Sequence, residues 1–376
     1  MNKFHLMHKN DIVGTVTIQK DEYNKGYLHI ENIIDSTILP IGTRDKEEDI
    51  DKQVTAWNDS RSIPLGRPNY LDFLNDIGAN NNSELIPYCF MCSLTDCYWF
   101  KPDNSDIKWE DVNFYQNGFS SNLYKRLFFN DKNEPINNLN SPDITCDGAL
   151  PKMWQEENGH FVLIKGKTSG FPMDACYEVI ADFIFGEIQA EHVYYELREI
   201  DNQIYSACEC FIHSDDEEFV PIENLMSDCR CYSQADFLPI LVELGFKEAI
   251  DKMILGDAIL GNIDRHARNY GVIIDSNTQQ IKRFAPLFDH NICALINNHG
   301  MLTYQPTKQS FNKTLPMLGT ETLTLAKNID MNTLNALVRS LPIEPNLQDR
   351  MFNQLQSRIS KISELVKEKE YEFERK

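Results

Sequence analysis

Three side chains set the chemistry this chain could do: Asp264, Asn269 five residues on, and Asp289. The first two lie in Leu260-Gly-Asn-Ile-Asp-Arg-His-Ala-Arg-Asn269, the third at the end of Ala285-Pro-Leu-Phe-Asp289. Between them, residues 271–274 read as a strand, Ser276-Asn277 as a turn and residues 281–287 as the return strand. Such a hairpin would bring Asn269 and Asp289 to one end. An amide oxygen and a carboxylate suit a hard divalent cation such as magnesium, which takes one or two protein ligands and completes its shell with phosphate and water oxygens. Asp264 could then accept a proton from an attacking hydroxyl. Asp, Asn and His also gather in turns, and one Asp-x4-Asn pair alone is most often turn chemistry. The long combined string argues for more.

A base Asp, an Asn five positions later and a metal Asp beyond it is the order used for phosphoryl transfer in protein kinases. Gly261-Asn-Ile-Asp-Arg-His-x-x-Asn269, followed by a strand and Pro286-Leu-Phe-Asp289, closely resembles the motifs of the HipA-like serine/threonine kinases of bacterial toxin–antitoxin modules. The resemblance covers roughly residues 140 to 300 and is weak outside them. It implies ATP and Mg2+ as cofactors, Asp264 as the base, and Asn269 and Asp289 as metal ligands. Phe288-Asp289-His290 departs from the Asp-Phe-Gly of eukaryotic kinases, so correspondence with those enzymes is by role. Arg265 and His266 complete the loop, with His266 read as a hydrogen-bonding support rather than an acid–base group.

The nucleotide side comes earlier in the chain. His160-Phe-Val-Leu-Ile-Lys165 reads as a buried strand ending in Lys165, and a lone buried ammonium is costly. Glu178, in the helix that follows, would pair with it and aim it at the α- and β-phosphates. Glu187 and Glu191 compete for that role, and a snorkelling or surface Lys165 is the plain alternative. The resemblance favours the nucleotide role for Lys165. It also likens Thr145-Cys-Asp-Gly-Ala-Leu-Pro-Lys152 to the family's phosphate loop, with Thr145, Gly148 and Lys152 at its marked positions. Leu150 stands where the family has Gln. Glu209-Cys-Phe211 resembles the hinge that holds adenine through backbone bonds. Thr145 replaces the family's phosphorylated loop Ser, which implies autophosphorylation there. Gly166-Lys167-Thr168 looks like the end of a Walker A loop, but Phe161 occupies the place of its first Gly.

The 376 residues suffice for two or three domains, and 42% hydrophobic residues indicate a globular chain. A net charge of −21 argues against a broad nucleic-acid footprint, which needs clustered Lys and Arg. No run reaches the length of a membrane span, and the first residues lack a signal-peptide core. Ten cysteines therefore read as reduced cytoplasmic thiols. Cys89-x-x-Cys92 with Cys97 lacks a second Cys/His pair for zinc. Cys208 and Cys210 share a strand face and read as packing.

The remaining elements follow from periodicity. A β-branched hairpin is expected over residues 4–18, and helices over 46–58 and 70–77. Residues 130–143 read as a loop, and 143–154 as strand, tight turn and strand. A helix follows to about Gln189, then two strands flanking Ile200-Asp-Asn-Gln203. Asp215-Asp-Glu-Glu218 reads as a solvated acidic loop. Helices are expected over 236–245, 247–260, 320–329, 331–340 and 347 to about 369. The fold class expected is α+β, a bilobal protein-kinase-like fold with a β-rich N-lobe (131–212), a helical C-lobe (213–376) and an N-terminal accessory region (1–130). The activity expected is transfer of the γ-phosphate to a protein hydroxyl, with a protein substrate, a cognate antitoxin as a partner, and neither nucleic acid nor membrane. A nucleotide-binding pseudokinase scaffold, and a small-molecule or lipid kinase, are the competing classes.

Overall fold

The structure, a computed structural model, describes residues 3–119, 122–136, 138–166, 173–293 and 315–375. In chain order the elements are β1 (Lys3–His8), β2 (Asp11–Lys20), β3 (Gly26–Ile33), α1 (Ile50–Ser60), α2 (Tyr70–Ile77), β4 (Tyr98–Pro102), α3 (Trp109–Val112), α4 (Phe114–Asn117), α5 (Leu123–Leu127), β5 (Lys152–Glu157) and β6 (His160–Lys165). There follow α6 (Asp174–Glu187), β7 (Tyr195–Ile200), β8 (Gln203–Glu209), β9 (Glu217–Pro221), α7 (Ile222–Asp228), α8 (Gln234–Glu243), α9 (Lys247–Leu260), β10 (Gly271–Asp275), β11 (Ile281–Phe284), α10 (Thr320–Thr324), α11 (Met331–Ser340) and α12 (Pro345–Glu374). Two compact units result. The first holds residues 1–166, 209–234 and 271–283, the second 167–208, 235–270 and 284–376.

In the first unit β1 and the β-branched β2 form the hairpin read from sequence, which continues into a sheet of order β3-β2-β1-β4. Leu6, Val16, Leu28 and Phe100 bury with Val54 and Trp57 of α1 and Phe73 and Leu74 of α2. Helix α1 begins at Ile50 rather than Lys46, because the Asp49 carboxylate caps the amides of Asp51 and Lys52. The hairpin of β5 and β6 pairs Lys152 with Lys165, and β6 has the bounds read from sequence.

Two expectations fail in this unit. Residues 143–151 contain no strand; the carbonyls of Cys146, Asp147 and Gly148 are held by the Arg67 and Lys152 side chains instead of a ladder. The acidic run 215–218 is not a solvated loop. Glu217 and Glu218 open β9, which pairs antiparallel with β10 in a sheet of order β11-β10-β9. Alternation sends Glu217 out to Arg283 and Lys282, at 2.6 and 2.7 Å. It sends Glu218 inward, where His8 Nε2 lies 2.5 Å from its carboxylate and the Cys97 amide donates to it at 3.3 Å. Four adjacent acids mask a strand's period, and only a histidine 210 positions away revealed it. His8, Cys97 and Glu218 lie within 4.8 Å of one another. Each is satisfied without an ion, since the Cys97 thiol donates to the Asp215 carbonyl at 3.3 Å. None of the ten cysteines is in a disulfide, and Cys89, Cys92, Cys208 and Cys210 are buried.

In the second unit, Asp201 and Asn202 both take positive φ, 51° and 59°, which makes the expected two-residue turn between β7 and β8. Helix α6 buries Ile180, Ile184 and Phe185 and packs against α9, with Phe185 over Gly256. Helix α11 has the bounds expected from periodicity, whereas α12 extends beyond both expected ends. The Walker-like Lys167-Thr168 lies outside the described residues. No helix among the described residues is long and apolar enough to cross a membrane.

Candidate active site

Helix α9 stops at Gly261, whose φ of +66° is left-handed and costs a Cβ-bearing residue strain. The Arg358 guanidinium donates to the Ile259 carbonyl at 3.1 Å, satisfying one of the orphan acceptors of that helix end. A Cβ at position 261 would fall 2.5 Å from Arg358 Nη1, so the guanidinium would have to shift to admit it. The chain then enters the loop that carries Asp264. Asn262 folds back on α9, donating to the Asp257 carboxylate at 3.0 Å and accepting the Asp264 amide at 2.9 Å. The Asp264 carbonyl accepts from the His266 amide at 2.8 Å and from the Asn269 side chain at 2.9 Å. Both peptide groups of Asp264 are thus pinned, while its carboxyl is half-buried.

Arg265 ties the site together. Its Nε and Nη2 grip both oxygens of Asp257 at 2.9 and 3.0 Å. Nη1 donates to the Asn269 carbonyl at 2.7 Å and to the Phe288 carbonyl at 2.8 Å, and Nη2 lies 2.9 Å from His290 Nδ1. One nitrogen therefore joins the end of the Asp264 loop to the residue before Asp289. Burial works against the Arg265 charge, but the charge and hydrogen bonds of Asp257 outweigh it and its pKa is raised. Asp289 has a φ of 59°, uncommon for a non-glycine residue, and its amide donates to the Tyr195 hydroxyl at 3.0 Å. Burial raises the Asp264 pKa; His266 opposes this and Asp289 adds to it. The two carboxylates are close enough to repel.

That repulsion and the donor set are what a hard cation needs. The Asn269 amide nitrogen is spent on the Asp264 carbonyl, so the ligand atom that side chain offers is its oxygen. Asn269 and Asp289 fit Mg2+ on these grounds. His266 Nδ1 accepts the Arg268 amide at 3.3 Å, a role that shapes the loop.

The sequence missed Asp257, Asn262 and Tyr195. Asp257 left a trace: it stands with Met253 and Leu260 at helical spacing on a buried face, where a carboxylate demands a cationic partner. Tyr195 left none, because its hydroxyl finds Asp289 only after ninety-odd residues of folding.

In the first unit, Lys165 is buried at the end of β6. Among the acids considered for it, Glu178 is fully buried in the second unit and accepts from the Ser206 hydroxyl, while Glu191 is exposed and Glu187 accepts the Asp330 amide. Thr145 is buried and its hydroxyl donates to the Cys92 carbonyl at 2.7 Å. Lys152 donates to the Asp147 carbonyl at 2.6 Å. Glu209 is exposed, 2.6 Å from His160 Nδ1, and Phe211 packs edge-on against Phe219. Between them the Cys210 amide bonds the Phe161 carbonyl at 2.8 Å, as a strand edge does.

Among solved structures, HipA of Shewanella oneidensis MR-1, from a toxin–antitoxin complex with HipB and operator DNA, matches 97% of this chain and 98% of its own at 12% identity, with a TM-score of 0.56. The proinflammatory kinase CtkA of Helicobacter pylori matches 59% of this chain and 95% of its own at 19% identity, with a TM-score of 0.47. No family model matches the sequence, and no curated protein does. The likeness to HipA gives the fold class: mixed α and β, bilobal and protein-kinase-like, as the motifs implied.

Proposed function

We propose that this chain is an ATP- and Mg2+-dependent, HipA-like serine/threonine protein kinase. The observation that carries the reading is the Arg265 bridge, which joins Asn269 to the Phe288-Asp289 turn beside Asp264 in a chain with the HipA fold. Bound Mg2+ would neutralise the β- and γ-phosphates of ATP. Asn269 and Asp289 would hold the ion through oxygen. Asp264 would accept the proton of the substrate hydroxyl, its carboxyl oriented by two pinned peptide groups. Lys165 would hold the α- and β-phosphates, with Glu178 as its acidic partner in the scheme. The loop from Thr145 to Lys152 would take phosphate through backbone N–H groups around Gly148. The backbone of Glu209 and Phe211 would hold adenine.

The solved Shewanella HipA is accompanied by HipB and operator DNA. For this chain an antitoxin-type protein partner fits the same module, and the net charge of −21 supports contact with that protein rather than with DNA itself. A cytoplasmic kinase of protein hydroxyls, able to phosphorylate its own Thr145, completes the reading. Retention of Asp264, Asn269 and Asp289 together weighs against a pseudokinase. The test is Asp264→Asn, measured for ATP affinity by calorimetry and for phosphate transfer from labelled ATP to itself, to a general protein substrate and to lipid vesicles. Transfer should vanish while ATP affinity stays within a few-fold of wild type. Wild-type turnover in the variant would remove Asp264 as the base, and vesicle labelling alone would move the enzyme to another acceptor class.

A further inference from the structure

The accessory region has a place in this scheme through Arg67, on the approach to α2. Arg67 is buried, and burial presses its pKa down although it remains a cation. Its Nε donates to the Gly148 carbonyl at 2.8 Å and its Nη2 donates to the Cys146 carbonyl. Lys152 Nζ takes the carbonyl between them, that of Asp147, at 2.6 Å. Three successive carbonyls of one loop are therefore each held by a cation. In a trans peptide the N–H points opposite to the C=O of the same plane. Drawing in the carbonyls of 146, 147 and 148 turns the amides of Asp147, Gly148 and Ala149 away from the two cations. Hydrogen bonding to a charged donor also polarises each peptide and strengthens its N–H. The result is a run of outward donors, the arrangement that binds anions.

The rest of the loop is anchored from the same region. The Ile63 amide donates to the Ile144 carbonyl at 3.1 Å, and the Thr145 hydroxyl to the Cys92 carbonyl at 2.7 Å. Ile144 itself packs in the core beneath the N-terminal sheet. Gly148 holds a φ of +107°, and a Cβ there would collide with Lys152 Nζ, so the shape admits glycine alone.

We propose that Arg67 is a positioning residue for phosphate binding: by holding the carbonyls of Cys146 and Gly148 it presents the loop's amides to the polyphosphate of a nucleotide, and this is how residues 1–130 take part in the reaction. The inference rests on the reading of this loop as the phosphate loop. It is tested by comparing adenosine, which has no phosphate, with Mg·ATP for wild type, Arg67→Ala, Arg67→Lys and Lys152→Met, with folding checked by far-UV circular dichroism. Arg67→Ala should lose about tenfold or more in ATP affinity, the worth of one charge-assisted hydrogen bond or better, with adenosine affinity unchanged. The KM for ATP should rise while kcat changes little. Arg67→Lys should recover part of the loss, and free guanidinium should restore ATP binding to Arg67→Ala but leave wild type unaffected. If Arg67→Ala does not fold, Arg67→Gln, which keeps one N–H for a loop carbonyl, and Lys152→Met carry the comparison. Equal losses for adenosine and ATP, or no loss for either, in folded variants would overturn the role of Arg67. A wild type that binds adenosine and ATP alike, or neither, would instead overturn the loop's assignment to phosphate.

Discussion

Replacing Arg265 by a lysine tests the central tie of the site. The guanidinium makes five contacts: two to Asp257, one each to the Asn269 and Phe288 carbonyls, and one to His290. An ammonium is one nitrogen with three donors and cannot span both Asp257 and the two carbonyls. The substituted side chain must give up at least one side of the bridge. Asp257 and Arg265 are 13% and 9% exposed, so the stranded groups stay out of water. Losing two charged hydrogen bonds at about 1.5–3 kcal/mol each, or breaking a buried ion pair at about 3–5 kcal/mol, gives the same expectation of roughly 3–5 kcal/mol. The readout is urea unfolding followed by far-UV circular dichroism, because all four tryptophans (Trp57, Trp99, Trp109, Trp154) lie in the first unit. In the same variant, Asn269 and Asp289 lose their common support. A displacement of about 1 Å costs on the order of a hundredfold in rate, so kcat should fall by about that factor. The double variant Asp257→Asn, Arg265→Met removes the buried charge along with its partner. It should regain stability over Arg265→Met alone but not activity. A loss below about 1 kcal/mol with near wild-type kcat in Arg265→Lys would refute the bridge as the organiser of the site.

Three further outcomes follow from the same geometry. Asp289→Ala should weaken Mg2+-dependent ATP binding more than Asn269→Ala, because a carboxylate brings charge to the ion and an amide only a dipole; matching magnesium titrations for both variants and wild type would place the metal elsewhere. Burial raises the Asp143 carboxyl to about 6, from an ordinary 3.8, against the pull of the Trp154 amide and Ser141. Between about pH 4 and 6 the folded state keeps a proton that the unfolded chain releases, so stability falls as pH rises through that window and stays lowered above it, by at most about 3 kcal/mol. Asp143→Asn, which keeps the acceptor for Trp154, should match wild type at pH 4 and unfold at higher urea at pH 8; equal midpoints at both pH values would count against the shift. Thr145 can receive phosphate only after its bond to the Cys92 carbonyl opens. A phosphate there, carrying close to two negative charges near Asp143 and Asp147, should keep the loop open and suppress ATP binding; an unmodified Thr145 peptide, by mass spectrometry, from an enzyme that phosphorylates other proteins would remove this switch.

Much of the fold was written locally. Apolar spacing marked α2, α9 and α11 at their observed bounds, and the strand β6 with its terminal Lys165, because one buried face imposes its period on the sequence. Asp201-Asn202 announced a hairpin because both residues tolerate positive φ. The acidic and amide residues proposed for the site stand close in the sequence, since their spacing is fixed by one loop and one hairpin. What the sequence could not reveal are interactions whose partners meet only after folding. The segment 143–151 has a strand-like composition, but Arg67, Lys152 and Cys92 supply its hydrogen bonds and no ladder forms. Glu218 sits in an acidic run that looks solvated, and His8 from the first strand, together with the Cys97 amide, makes its burial tolerable. Asp257, Asn262 and Tyr195 support Asp264 and Asp289 through bonds that no local period encodes. Local chemistry determined which groups could react; tertiary structure decided which of them are held still, because a hydrogen bond fixes a side chain only when distant backbone brings its partner within about 3 Å.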